Sequence, residues 1–212
     1  MLAAGLLALW AFPAAADGDL SPEGLTFKDF SVADNGASFN RTDPMLPGGP
    51  DSPTIKLLSV DKAEGLARIR FNSVKVEVAL PLGWQATEDW ERGVADSADR
   101  RYRLIVWRVD FAFEGVKDAE QYASTKIGVI RSRRQGVTGQ ARKLNDGSFL
   151  IVYENVPPTK GDDGPRTAFD LLLVNPNDPK TGALLTLGVP AKEASRGLGL
   201  LALMKQRVRI DW

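Results

Sequence analysis

Four groups of residues in this chain have the types and spacing to do chemistry. Glu88, Asp89 and Glu91 gather around Trp90. Carboxylates this close can divide acid and base roles or hold a hard cation. The same run also suits a solvated turn behind a strand. Asp162-Asp163 lies between two glycines but lacks the twelve-residue ligand spacing of a calcium loop. Ser124 precedes Lys126 on an expected helix, where residues two apart face different sides, so a Ser-Lys dyad has no support. The fourth group is cationic: Arg100, Arg101 and Arg103, then Arg131, Arg133 and Arg134, with Arg142 and Lys143 beyond. Such a block can bind anionic lipid, phosphate, nucleic acid or an acidic protein surface.

Two absences narrow the chemistry. The 212 residues include no histidine, so there is no Ser-His-Asp or Cys-His relay and no imidazole ligand for a metal. They include no cysteine, which excludes thiolate catalysis, zinc-thiolate sites, iron–sulfur ligation and disulfides. There is no Walker A loop and no dinucleotide-binding GxGxxG; Gly197-x-Gly199 alone is too little for either. The balance moves away from an enzyme and towards a binding or assembly protein without a cofactor or metal.

The first residues suggest an address. Met1 to Ala16 carry no charge, with an apolar run from Leu2 to Phe12, a break at Pro13, and Ala14-Ala15-Ala16 before Asp17. A bilayer-spanning helix needs roughly 20 apolar residues, so this stretch reads as a signal peptide over 1–16 rather than an anchor. It lacks the basic n-region of a signal peptide, and the alternative is a buried N-terminal helix. An exported chain without cysteine fits a bacterial periplasm, where its core must supply the stability that disulfides cannot. That address argues against nucleic acid as the partner. Asn40-Arg41-Thr42 is a glycosylation sequon, relevant only in a eukaryotic source.

The formal net charge of zero hides an asymmetry. From Asp17 to Pro53 seven acids face only Lys28 and Arg41, a net of −5. From Arg100 to Lys143 eleven basic residues face Asp110, Glu114, Asp118 and Glu120, a net of +7. A solvated basic face would explain the second block. So would an anionic partner, or the chain's own acidic arm.

The elements that must position these residues follow from pattern. Residues 17–53 contain Ser21-Pro22, Asn35-Gly36, Asp43-Pro44 and the run from Pro47 to Pro53, so they are expected to form an extended N-terminal arm. Within it Leu25, Phe27, Phe30 and Val32 suit a short strand-like segment that docks. Ordered structure is expected over 54–212 as a single α+β domain. Ile55 to Val60 and Leu66 to Phe71 read as a hairpin, and Val74 to Leu80 alternates as a half-buried strand. Tyr102 to Phe113 is the strongest strand, with Ile105, Trp107, Val109, Phe111 and Phe113 on its apolar face. Asp118 caps a helix that carries Ala119, Tyr122, Ala123, Ile127 and Ile130 at helical spacing. Arg131, Arg133 and Arg134 close that helix and Gly136 stops it. Asn145-Asp146-Gly147 marks a second hairpin, Asn175 to Gly182 a third, and Ser195 is the expected cap of a final helix. The tryptophans Trp84, Trp90, Trp107 and Trp212 are expected in the core or at its edges.

The phrase Val76-Glu77-Val78-Ala79-Leu80-Pro81-Leu82-Gly83-Trp84 resembles the opening of PsbP-like and Mog-type α/β/α domains, a strand followed by Pro-x-Gly-Trp. The capped helix at Asp118, the hairpins after it and the C-terminal helix keep the same order, so the resemblance spans roughly Val74 to Trp212. It implies an antiparallel sheet covered by helices. It also implies a non-enzymatic role: assembling photosynthetic complexes, binding a small GTPase, or an exported function. The metal-binding histidines of some photosynthetic members have no counterpart here.

The sequence thus points to an exported, cofactor-free binding or assembly protein that contacts another protein or an anionic envelope component. Arg100, Arg101, Arg103, Arg131, Arg133 and Arg134 are its candidate partner-binding residues. The alternatives are a carrier of small ligands or lipids with an apolar groove, and a carboxylate-based envelope hydrolase. A large internal cavity would favour the carrier, and two buried, facing carboxylates the hydrolase. Mass spectrometry of the protein recovered from its native envelope should find a mature terminus near Asp17; an intact Met1 on most molecules would exclude the signal peptide.

Overall fold

A computed structural model describes residues 19–32, 40–41, 55–159 and 162–212 of the chain. The expected signal peptide, the Pro47 to Pro53 run and Thr42 of the sequon lie outside the described residues. The strands in chain order are β1 (Asn40–Arg41), β2 (Lys56–Asp61), β3 (Leu66–Phe71), β4 (Val76–Pro81), β5 (Gln85–Glu88), β6 (Arg92–Asp96) and β7 (Arg103–Asp110). Helix α1 (Ala119–Arg133) follows, then β8 (Thr138–Lys143), β9 (Phe149–Val156), β10 (Arg166–Val174), β11 (Thr181–Pro190), helix α2 (Ala194–Arg207) and β12 (Arg209–Ile210).

These strands make two sheets. The larger has the order β1-β5-β6-β7-β11-β10-β9-β8, and the smaller β12-β4-β3-β2. All pairings are antiparallel except β1 with β5. The expected sheet-and-helix architecture is present, with one amendment. Helix α1 covers one face of the large sheet, while α2 and the small sheet share the other.

Burial explains why the strands alternate as they do. Leu104, Val106, Leu171, Leu185 and Leu187 pack towards the small sheet and Leu200, Leu201 and Met204 of α2. Val109, Leu172, Leu184 and Ile151 pack towards Ala119, Tyr122 and Ala123 of α1. Full burial of one such side chain contributes about 1.5–3 kcal/mol, so both layers stabilise the sheet substantially.

Several expectations change on contact with the packing. Leu104 and Val106, which lie opposite the face that pattern marks as apolar on β7, are its most buried residues, whereas Ile105 and Trp107 are only partly covered. The strand stops at Asp110 because its carboxylate accepts the Ala112 and Phe113 amides at 2.9 and 3.1 Å and turns the chain. Phe113 then lies 90% exposed instead of on the core face. The expected turn around Trp90 is the hairpin of β5 and β6, with Asp89 accepting the Glu91 and Arg92 amides at 2.9 Å. Trp90 stands exposed at its tip, and Glu88 is buried, accepting from the Ser73 amide and hydroxyl at 3.2 and 3.1 Å. In the N-terminal segment Phe27–Phe30 forms a 3₁₀ turn rather than a strand, and Leu20 and Phe27 enter the core.

Helix α2 begins one residue before the expected cap, at Ala194 after a 3₁₀ turn, and Ser195 lies inside it. Its glycines are close-approach positions. A Cβ on Gly197 would stand 2.8 Å from Val189 Cγ1, and one on Gly199 would stand 2.6 Å from Leu25 Cδ1. The helix therefore lies directly on β11 and under the N-terminal segment.

Gly128, on the exposed side of α1, has nothing within 4 Å of its missing Cβ. Gly128 and Gly197 should therefore respond in opposite directions. By urea denaturation, Gly128→Ala should stabilise the fold by up to about 1 kcal/mol. Gly197→Ala should destabilise it by about 1–3 kcal/mol despite the same gain in helix propensity. Equal shifts for the two would contradict the packing described.

Candidate functional site

Helix α1 is held at three places. At its start Asp118 accepts the Gln121 amide at 2.8 Å, and the Gln121 side chain accepts the Lys117 amide at 2.8 Å. At its end the Arg134 amide closes the last turn on Ile130 O at 2.9 Å, and Gly136 follows at φ +84°. In between, Lys126 takes the core-facing position between Tyr122 and Ile130. Its Nζ stands 2.8 Å from Oδ2 of Asp170, which is 1% exposed in the middle of β10.

An isolated carboxylate at such a depth is strongly unfavourable, and a paired one is tolerated. Asp170 also accepts a hydrogen bond from the Thr186 hydroxyl on β11. The Lys126 ammonium lies 5.4 Å from the Trp107 ring centre and 5.7 Å from that of Tyr122, within cation–π range of both. Burial raises the pKa of the Tyr153 hydroxyl, and the nearby Asp170 charge adds to it; Tyr122 is raised by the same two causes. Both phenols stay neutral, so neither adds a charge beside the Lys126–Asp170 pair.

The backbone of α1 lies closest to β8 and β9. Gly139 on β8 has Ile127 beside it. On the opposite side of the helix, towards β7, a groove of about 410 Å³ remains open. Its walls are apolar (Val109, Val116, Tyr122, Val129, Ile130), with Trp107, Lys126, Glu114 and Arg133 among its lining. Val129 is exposed, and the Trp107 indole N–H is buried without a hydrogen-bond partner among the described residues.

The six arginines singled out by sequence fall into two groups. Arg103 begins β7 and Thr138 begins β8 at the same end of the large sheet, as the strand register shows. Three strands lie between them, so the two backbones are roughly 19 Å apart at the usual strand spacing. Arg100 is exposed at φ +58° in the β6–β7 turn. Arg101 pairs with Glu193, and Arg103 Nε lies 3.8 Å from Asp96. Arg131, Arg133 and Arg134 are exposed on the last turn of α1 and its cap, and make no ion pair among the described residues. Arg133 lines the groove beside Trp107.

A second concavity, about 530 Å³, lies where Phe30, Trp84, Tyr102 and Arg196 meet. It is larger, but its charges are satisfied internally. Arg101 faces Glu193, the Tyr102 hydroxyl donates to Glu193 at 2.5 Å, and Arg196 donates to Asp29 O while stacking 4.6 Å from the Phe30 ring centre. These contacts tie the N-terminal segment to α2 and leave little to recognise a ligand. The other acidic candidates are likewise engaged. Asp162 accepts from Thr159 N and Oγ1 at 2.6 and 2.7 Å and pairs with Arg166 at 2.6 Å, while Asp163 pairs with Lys192 at 2.7 Å. The buried carboxylates Glu88 and Asp170 each serve different neighbours, Ser73 and Lys126, and do not face each other. Among the described residues no three acids are grouped to hold a metal ion.

Sequence reasoning missed the Lys126–Asp170 pair, although each partner left a trace. Asp170 is a lone acid within Ala168 to Val174, and Lys126 interrupts the apolar stripe of Tyr122 and Ile130.

No protein-family model matches the sequence, and no curated protein matches it significantly. Among solved structures the chain is similar to the Ran-binding protein Mog1p of Saccharomyces cerevisiae. The TM-score is 0.52 and the identity 12%, over 68% of this chain and 95% of that one. A mutant of Mog1 gives a TM-score of 0.51 with the same identity and coverage. PsbP (CyanoP) from Synechocystis sp. PCC 6803 shares 15% identity over 78% of this chain and 98% of its own, with a TM-score of 0.46. At such identities the likeness is one of fold. The chain carries the Mog1-type α+β fold, in keeping with the PsbP-like and Mog-type resemblance of its sequence.

Proposed function

We propose that this chain is an exported, cofactor-free binding protein that engages an acidic segment with an apolar face on a partner protein, through the groove between α1 and β7. The observation that carries this reading is the contrast among its arginines. Arg68, Arg70, Arg101, Arg166 and Arg207 each face a carboxylate of the chain itself. Arg131, Arg133 and Arg134 do not among the described residues, and Arg133 borders an open apolar groove. Helix carbonyls favour one or two cations at a C-terminus, but three guanidinium groups without an ion pair among the described residues, beside exposed Val129, suit an anionic, partly apolar partner.

Protein binding on this fold has a precedent in Mog1p, which is described as Ran-binding. Its identity to this chain is too low to transfer the partner. Export rests on the apolar N-terminal run. Among the described residues no helix is long and apolar enough to cross a membrane.

The carrier reading keeps one observation in its favour. The groove has a volume within the range of small-ligand sites, about 300–1,000 Å³, and five apolar side chains on its walls. An anionic envelope lipid would use the same arginines. Immobilised protein incubated with envelope extract separates the readings. The Arg131→Glu, Arg133→Glu, Arg134→Glu variant should lose the proteins captured by the native chain, and capture by the native chain should weaken as salt rises. The fold should be intact by circular dichroism, because exposed charge changes cost little stability. Unchanged capture by the folded triple variant would reject the groove. Capture of lipid without protein would favour the carrier.

A further inference from the structure

The small sheet ends on a strand that no neighbour covers among the described residues. β2 is the terminal strand of the order β12-β4-β3-β2, and all six of its residues are exposed. Leu57, Leu58 and Val60 are each 41–43% exposed, three aliphatic side chains within four residues of one edge strand. A free strand edge of this kind is a template for pairing with another strand unless something blocks it. The blocking devices proteins use are charge, proline and bulges. Here there is no proline, one register shift between Leu57 and Ser59, and one charge at each end.

Those end charges are of opposite sign, and this selects the occupant. We infer that β2 pairs antiparallel with β2 of a second copy of this chain, about a two-fold axis between Leu58 and Ser59. That register sets Lys56 opposite Asp61 and Leu57 opposite Val60, each twice. Opposite charges and aliphatic side chains directly across a ladder are the favourable cross-strand pairs. A one-residue slip can still set Leu58 opposite Val60, but it takes Lys56 out of line with Asp61, so the end charges specify the register. The other edge of the small sheet is the two-residue β12, too short to extend a chain of copies. The pairing therefore closes at two, as an isologous contact must.

The contact is one strand wide and falls below the size of a stable interface, so it should form at high protein concentration and reverse on dilution. It uses none of the groove residues of α1, and its failure would leave the proposed function untouched.

Sedimentation velocity from micromolar to millimolar protein tests it. The native chain should move from monomer towards twice the monomer mass. Lys56→Asp alone sets two carboxylates opposite each other at both ends of the ladder, and Asp61→Lys alone sets two ammonium groups together there. Each should self-associate roughly tenfold more weakly. An equimolar mixture of the two variants should recover association, because each end carboxylate of one variant then meets an ammonium group of the other. Asp61 also accepts the Glu64 amide at 2.9 Å in the β2–β3 turn, so circular dichroism must confirm that its variant is folded. If it is not, Lys56→Asp and amide exchange carry the test: β2 amides of the native chain should gain protection with concentration, and those of Lys56→Asp should not. A native chain that stays monomeric to millimolar concentration, folded variants that associate like it, or a mixture that fails to recover would each overturn the inference.

Discussion

A carboxylate fixed in the middle of the large sheet decides where the first helix can lie. Asp170 is on β10, flanked by β9 and β11, with its side chain on the α1 face and out of reach of water. Such a charge is tolerated only beside a cation, and Lys126 supplies one from the centre of α1 at 18% side-chain exposure. The position of Lys126 sets both the rotation of α1 and its distance along the sheet. Tyr122, one turn earlier, then packs 5.7 Å from Phe111, and Ile130, one turn later, reaches the edge of the groove. The exposed arginines at the end of the helix are carried to their place by this arrangement. The groove exists because α1 lies over β8 and β9, so that Trp107 on β7 is only partly covered.

The opposite face of the sheet is held by shape rather than charge. Glycines let α2 approach Val189 and Leu25 closely, and the N-terminal segment closes over it through Leu20 and Phe27. The acidic character of that segment is answered on the same helix. Asp19 accepts from Lys205 Nζ at 2.6 Å, and Lys205 also lies 2.9 Å from Asp146. Burial opposes the charged Asp146, but hydrogen bonds from Ser148 and Lys205 outweigh it and hold its pKa below the usual carboxylate range. The described part of the arm thus meets the basic residues of α2, and the excess of positive charge at the end of α1 stays unanswered by it.

Much of the fold was legible because its signals are local. The Asn145-Asp146-Gly147 hairpin, the Asp118 cap and the alternation of Val76 to Leu80 each depend on neighbours in sequence. What escaped depends on distant partners. β5 and β6 are short, and the three acids Glu88, Asp89 and Glu91 made their hairpin look like a solvated turn; its pairing with β7 is what makes it sheet. The two faces of β7 could not be ranked by pattern, because a sheet covered on both faces loses the contrast between them. The candidate arginines were read as one cluster since charge is visible in sequence and its neutralisation is not. Arg101 meets Glu193 at the start of α2 and Arg103 meets Asp96 on the neighbouring strand β6, leaving the α1 group distinct.

The central claim is that the Lys126–Asp170 pair holds α1 on the sheet and so shapes the groove. A double-mutant cycle in urea with Lys126→Met and Asp170→Asn measures that coupling directly. Each single change should cost about 3–5 kcal/mol or leave a detectably loosened helix, because it strands or weakens a buried charge. The double variant should be no less stable than the worse single one, giving a coupling energy of at least about 3 kcal/mol. Two costs that simply add in the double variant would contradict the account, and α1 would then be placed by its apolar contacts alone.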